Sequence, residues 1–171
     1  VTSGTLDLNV FLVGVGVSAS AAPSNGRLQT ALTRLRDRLA PTGVSLGAIR
    51  YFDVTGADAT RYQVIDSTDG ESSELAGLFR LSGGVSTGRV LNVFLVRSIE
   101  SGSGGFAALG VAGGIPGPVG QHGTQHSGVV SAFDPAVVGS GNTGARLVGH
   151  ILAHEIGHYV GLFHSTEQSR P

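Results

Sequence analysis

Residues 154–164 carry the pattern that most constrains how this chain can fold: H-E-x-x-H-x-x-G-x-x-H. On a helix, residues four apart lie on the same face, so His154 and His158 can bind one metal ion. Gly161 has no Cβ and can adopt a positive φ, which ends a helix and turns the chain sharply. That turn lets His164 approach the same ion as a third ligand.

The chemistry that this pattern favours is a catalytic zinc centre. Three histidine nitrogens leave a fourth zinc position open for water, whereas a structural zinc site is closed by four protein ligands. Glu155 follows the first ligand by one residue, so it points to a neighbouring sector of the helix, beside that water, as a general base would. A surface helix with scattered histidines leaves Gly161 and His164 unexplained, and a non-catalytic zinc site leaves Glu155 without a task.

Composition narrows the other classes of function. A chain of 171 residues favours one domain with a sizeable core. The net charge is −1 and 13% of residues are charged, which favours neither nucleic acid nor an anionic membrane as a partner. The chain has no cysteine, so it has no disulfide and no thiolate ligand, and no apolar stretch is long enough to span a bilayer. All 11 basic residues are arginine, a bias typical of bacteria with GC-rich genomes.

Hydrophobic periodicity predicts a layered α/β arrangement. Apolar runs of strand length alternate with leucines at helical spacing and with glycine- and proline-rich loops. The predicted strands are 6–13, 44–54, 90–96, 106–111 and 129–133; the predicted helices are 28–39, 73–81 and 145–160, the last capped by Asn142 or Thr143; the predicted loops are 55–72 and 113–128. The two long helices would back a mixed sheet in which 90–96 is a central strand and 106–111 an edge strand.

The motif at 154–164 resembles the signature of the metzincin clan of zinc endopeptidases. Segments 91–96, 105–107, 115–117 and 127–130 are similar to the pappalysin-like bacterial members, with a matrixin-like relationship as the alternative. The resemblance implies an α/β (α+β) fold like the N-terminal subdomain of a metzincin. That subdomain has a twisted, mixed five-stranded sheet backed by two long helices, with the active-site helix at the C-terminal end.

The same resemblance implies roles for particular residues. His154, His158 and His164 would bind Zn²⁺, Glu155 would be the general base for hydrolysis of peptide bonds, and Gly161 would form the structural turn. The edge strand, expected within 106–113, would pair with an extended peptide or protein substrate. The candidate substrate-binding residues are Phe106, Ala107, Ala108, Leu109 and Gly110. A secreted or cell-envelope bacterial location is expected.

The chain departs from the clan in one respect. Metzincins place a methionine-containing tight turn beneath the zinc ion, after the third histidine, but this chain has no methionine and ends at Pro171. We therefore expect 1–171 to be the upper subdomain of a single metalloprotease catalytic domain, with the C-terminal subdomain missing. The alternative is a reduced member of the clan that has lost the turn. That subdomain or a pro-segment would be a partner. The alternative function is a catalytically silent zinc-binding or scaffold domain of the same fold.

Three further histidines and one tyrosine have less defined roles. His150 lies one turn before His154 and could support the metal ligands from behind, although a solvent-facing or hydrogen-bonded side chain is the simpler interpretation. His122 and His126 could form a second metal site or contact substrate, but no aspartate or cysteine accompanies them. Tyr159, inside the motif, is expected to pack rather than to take part in catalysis.

Overall fold

The computed structural model describes residues 4–85, 88–101, 105–106 and 108–164, and the side chains of 101, 105 and 106 are not among the described parts. The described residues form eight strands: β1 Gly4–Val13, β2 Val44–Val54, β3 Val64–Ile65, β4 Val90–Val96, β5 Ser98–Ser101, β6 Gly105–Phe106, β7 Gly110–Ala112 and β8 Val129–Ala132. The α-helices are α1 Gly26–Leu39, α2 Gly56–Tyr62, α3 Glu74–Arg80, α4 Pro135–Val138 and α5 Gly141–Tyr159.

The principal sheet has five strands in the order β2-β1-β4-β8-β7. The pairs β1–β2, β1–β4 and β4–β8 are parallel, and only β7, at the edge, is antiparallel to its neighbour β8. A second sheet of three short strands has the order β3-β5-β6. The predicted fold class, a mixed α/β sheet with two long helices, is confirmed.

The centre of the sheet is apolar on both faces because the parallel strands need helical crossovers that cover them. All seven residues of β4 are buried. On one face, α1 and α5 pack over Val10 and Val93 through leucines such as Leu32 and Leu152. On the other face, Phe11 stacks on Phe94 with ring centroids 4.6 Å apart, and α3 covers them.

A close contact between the two long helices determines where α5 lies. Gly149 of α5 faces α1, and a Cβ at this position would lie 2.6 Å from the Cβ of Arg34 and against the Ala31 carbonyl oxygen. Only a glycine therefore permits this approach of the backbones. The contact draws the N-terminal half of α5 onto α1, and the C-terminal half extends towards the sheet edge formed by β7.

Three sequence-based boundaries were wrong. The predicted loop 55–72 contains α2 and β3, because burial of Tyr62, which is 6% exposed, stabilises a helix whose glycine and alanine content gave no apolar periodicity. Helix α5 begins at Gly141 after Ser140, so neither Asn142 nor Thr143 is its cap. The predicted strand 106–111 is divided: Phe106 pairs with β5 in the small sheet, and the edge strand of the large sheet is Gly110–Ala112.

Among the described residues, no helix is long and apolar enough to cross a membrane.

Candidate metal and active site

The three motif histidines converge on one point. The Nε2 atom of His158 lies 3.0 Å from that of His154 and 3.1 Å from that of His164, and the Nε2 atoms of His154 and His164 are 3.0 Å apart. His154 and His158 lie one turn apart on α5, and His164 follows the end of that helix. His158 is buried, whereas His154 and His164 are exposed on the side that faces solvent.

The end of α5 explains how His164 reaches this point. The Leu162 N–H donates to the Gly157 carbonyl at 2.9 Å, and the Gly161 N–H donates to the His158 carbonyl at 2.8 Å. These two bonds form a Schellman motif, which requires a left-handed residue after the helix. Gly161 has φ +102° and supplies that conformation. The predicted turn at Gly161 is therefore present, and it reverses the chain so that His164 returns to the helix.

The same turn orients one of the three imidazoles. The Nδ1 atom of His158 lies 2.7 Å from the Leu162 carbonyl oxygen, which can only accept a hydrogen bond. Nδ1 therefore carries the proton, and the lone pair of Nε2 points to the shared centre. A backbone carbonyl in this position is a common outer partner of a metal-binding histidine.

The donor set fits a single zinc ion. Three nitrogens that each lie about 2.0–2.1 Å from one tetrahedral zinc ion are roughly 3.3–3.4 Å apart, close to the arrangement of the three Nε2 atoms. A cation at the centre also accounts for the convergence of three lone pairs, which would otherwise repel one another. Partial burial of the His154 ring, together with the neighbouring His158 and His164, lowers the pKa of His154 and favours the neutral, metal-binding form.

Glu155 is buried beside the triad. Its side chain is 7% exposed, and its carboxylate accepts a hydrogen bond from the Ala112 backbone N–H. Burial raises the pKa of Glu155, against the lowering effect of His158, His164 and that hydrogen bond. Gly110 passes directly over the side chain: a Cβ there would lie 2.8 Å from Glu155 Cγ and 3.0 Å from Oε1. The edge strand therefore forms the wall against which Glu155 is held.

An open cleft of about 780 Å³ runs between the edge strand and α5. The residues lining it include Ala108, Leu109, Gly110, His154 and Glu155. Three of the five residues expected to bind substrate thus line the cleft. Phe106 belongs to β6 in the small sheet, and Ala107 falls outside the described residues. Among the described residues β7 pairs with β8 alone, and its other side is a sheet edge that lines this cleft.

The remaining histidines have partners of their own. His150 lines the cleft, but its ring contacts Arg34 and Arg38 of α1. His122 contacts Asn92 and the Gly88 carbonyl, and His126 contacts the Gly113 carbonyl at 2.6 Å. Neither His122 nor His126 belongs to a group of three potential metal ligands among the described residues.

Tyr159 is a packing residue, as expected. It is 2% exposed, burial raises its pKa to about 12, and its carbonyl accepts a hydrogen bond from the Gly117 N–H at 2.8 Å. This bond ties the loop before β8 to the last turn of α5. The hydroxyl therefore stays protonated near neutral pH, and the ring is enclosed by the core.

Comparison with solved structures finds proteins of similar fold. The match with archaemetzincin from Methanopyrus kandleri covers 95% of this chain and 77% of archaemetzincin, with a TM-score of 0.58 and 16% sequence identity. Metalloproteinase-II from Bacteroides fragilis matches 96% of the chain with a TM-score of 0.54 and 15% identity. The chain therefore has a fold similar to that of these two proteins. The chain spans only 46% of the Bacteroides protein. No family model and no curated protein matches the sequence.

Sequence reasoning missed the residues that support the site from other elements. The Leu162 carbonyl, the Ala112 N–H and the close approach of Gly110 are backbone features, and side-chain patterns give no signal for them. The contacts of Arg34 and Arg38 with His150 were missed as well, because the arginines of α1 have the spacing of an ordinary solvated face.

Proposed function

We propose that this chain is a zinc-dependent endopeptidase that hydrolyses peptide bonds with Glu155 as the general base. The observation that carries the proposal is the convergence of three histidine Nε2 atoms within 3.1 Å of one another in a cleft that also contains a buried carboxylate and a free strand edge. His154, His158 and His164 would hold the ion. When bound, zinc supplies Lewis acidity and lowers the pKa of water.

The residues of the chain provide positioning and proton transfer. The exposed edge of β7 can hydrogen-bond to an extended peptide and align its backbone along the cleft. Glu155 would accept a proton from the attacking water at its carboxylate and deliver it to the leaving amine. Its raised pKa makes the carboxylate a stronger proton acceptor in the first of these steps.

The proposed subfamily, domain organisation, cellular location and substrates are supported by the sequence alone. A relationship to the pappalysin-like or matrixin-like metzincins is part of the proposal, supported by the motif at 154–164 and by the short segments between 91 and 130. We also propose a single catalytic domain over 1–171 that works with a C-terminal subdomain, and a bacterial protein that acts at the cell envelope or outside the cell. Peptides or proteins are the proposed substrates.

The decisive experiment is cleavage of a diverse peptide pool by the zinc-loaded chain, with Glu155→Ala in parallel. The variant should retain zinc, because its ligands are intact, and should lose about 10²-fold or more in rate, the usual contribution of a general base. The control is Glu100→Ala, which removes a carboxylate that accepts a hydrogen bond from Ser98 away from the cleft. This variant should cleave the peptides at the wild-type rate.

Each outcome separates the candidate functions. Normal cleavage by Glu155→Ala would show that the carboxylate is not the base. Zinc binding without cleavage by the unmodified chain would favour the alternative, a catalytically silent zinc-binding or scaffold domain.

A further inference from the structure

A cluster of positive charge surrounds His150, a residue that lines the cleft. Arg34 Nε is 2.9 Å from His150 Nε2, and Arg38 Nε is 3.0 Å from His150 Nδ1. Arg146, one turn before His150 on α5, acts on the same imidazole through its charge. Among the described residues, one ion pair reaches this cluster, and it is long: Asp37 Oδ2 lies 4.0 Å from Arg34 Nη1. Positive charge therefore exceeds negative charge around His150.

Hydrogen-bond donors also exceed acceptors in this cluster. A neutral imidazole has one nitrogen that accepts and one that donates. Both ring nitrogens of His150 nevertheless face an arginine N–H. In one of these two contacts the arginine N–H therefore meets the imidazole N–H, and neither group can accept. Each guanidinium has five N–H donors and no acceptor. Apart from one His150 nitrogen and the Asp37 carboxylate at 4.0 Å, the described residues give these donors few acceptors, and a planar anion that accepts two parallel hydrogen bonds would supply them.

The position of His150 connects this cluster with the peptidase site. His150 lines the same cleft as His154 and Glu155. It precedes His154 by one helical turn, which is about 5.4 Å along the axis. An extended peptide advances about 3.3 Å per residue. A group bound beside His150 would thus belong to a residue within about two positions of the scissile bond.

We infer that Arg34, Arg38 and His150 bind a carboxylate of the substrate at the point where His150 lines the cleft, and so select acidic peptides. This inference rests on the proposed peptidase function and specifies its substrate class. The carboxylate can come from an aspartate or glutamate side chain or from the C-terminus of the peptide, since both present the same two oxygens to a guanidinium.

The test compares matched peptides that differ only at one position. Glutamate and glutamine have nearly the same shape, so the ratio of kcat/KM for the two peptides reports charge recognition. With the acidic residue placed at each position within two residues of the cleaved bond, one position should give a preference of about tenfold or more for glutamate. Peptides with a free or an amidated C-terminus distinguish the two sources of the carboxylate.

Two variants of α1 identify the residues responsible. Arg38→Gln should bring the glutamate-to-glutamine ratio close to one. Arg36→Gln removes the same charge from the same helix at an exposed position and should keep the wild-type ratio. If the arginines only fasten α1 to α5, Arg38→Gln affects both peptides equally and the ratio stays unchanged, which would overturn the inference.

A binding measurement separates this inference from the proposed function. The zinc-loaded Glu155→Ala variant should bind the preferred glutamate peptide about tenfold more tightly than its glutamine counterpart. Equal affinities and equal cleavage rates would contradict the carboxylate site while leaving the peptidase proposal intact. Selective binding without any cleavage by the unmodified chain would contradict the peptidase proposal and retain the carboxylate site.

Discussion

At the residue scale, the site depends on how closely the edge strand approaches Glu155. The carboxylate is oriented by the Ala112 N–H and lies against Gly110, so its position is determined by a strand far from it in the sequence. A general base must lie within hydrogen-bond reach of the proton that it accepts, and small displacements reduce the rate strongly. The glycine at position 110 is therefore as important to the geometry as the acid itself.

Gly110→Ala tests this dependence. The added methyl group would lie 2.5 Å from Ile151 Cγ2 and 2.8 Å from Glu155 Cγ, so Glu155 must move. We expect kcat/KM to fall by about 10²-fold, the size of effect that a displacement of about 1 Å produces, with little change in zinc affinity. Gly26→Ala, whose methyl group would contact nothing within 4 Å, is the matched control. Loss of zinc binding by Gly110→Ala would mean that the strand supports the histidines instead.

At the scale of the element, α5 and the turn that ends it contain all three proposed ligands. The helix holds His154 and His158 one turn apart, and the Schellman motif at its end brings His164 back and orients His158 through the Leu162 carbonyl. One backbone turn thus connects the helical ligands, His154 and His158, with His164. A change in that turn should alter the position of His164 and the orientation of His158.

Gly161→Ala should weaken the fold and the metal site together. Because φ at this position is +102°, a side chain there is strained, and we expect a loss of about 1 kcal/mol in the free energy of unfolding. Zinc affinity should fall about tenfold, since the partner of His158 and the path to His164 both shift. Urea denaturation and competition with a zinc chelator measure the two effects.

Gly157→Ala is the control for that prediction. A Cβ at Gly157 would make an ordinary contact with Leu162 Cδ1 at 3.6 Å, and alanine is favoured within a helix. This variant should be as stable as the wild type or more stable. Equal stability of Gly161→Ala and the wild type would show that the turn tolerates a side chain and that the argument from φ is wrong.

At the scale of the whole molecule, the core brings together elements that are distant in sequence. The parallel sheet places β8 beside β4, β7 pairs with β8 at the edge, and α5 packs on α1 and the sheet so that its C-terminal half lies along β7. The cleft is the gap between these two elements. In contrast, the three proposed metal ligands come from 11 consecutive residues, 154–164, so the ion would not cross-link distant parts of the chain.

Zinc should stabilise the chain through binding to the native state alone. At a free zinc concentration of 100 times the Kd, this linkage contributes about 2.7 kcal/mol. For a domain of this size the gain corresponds to a rise in Tm of roughly 5–10 °C. Thermal unfolding with zinc and with excess chelator measures it. His164→Ala should lose most of the rise, while His126→Ala, outside the triad, should keep it. An equal rise in both variants would place the ion elsewhere.

The sequence by itself determined the parts of this protein that depend on local spacing. Residues 154–164 predicted the ligand pair on one helical face, the turn at Gly161 and the return of His164. The buried run of β4 predicted a central strand, since a parallel strand covered on both faces has no polar alternation. These features follow from the geometry of one helix turn or one strand, so no distant contact can change them greatly.

Only the tertiary structure decided which distant groups meet. The edge strand proved to be 110–112 rather than 106–111, and Tyr62 formed a helix within a predicted loop. The burial of Glu155 under Gly110 and the contact of Arg34 and Arg38 with His150 likewise depend on strand order and on the packing of α1 against α5. Such contacts arise when distant surfaces are buried together, and the burial of one residue depends on the whole core rather than on its neighbours in sequence.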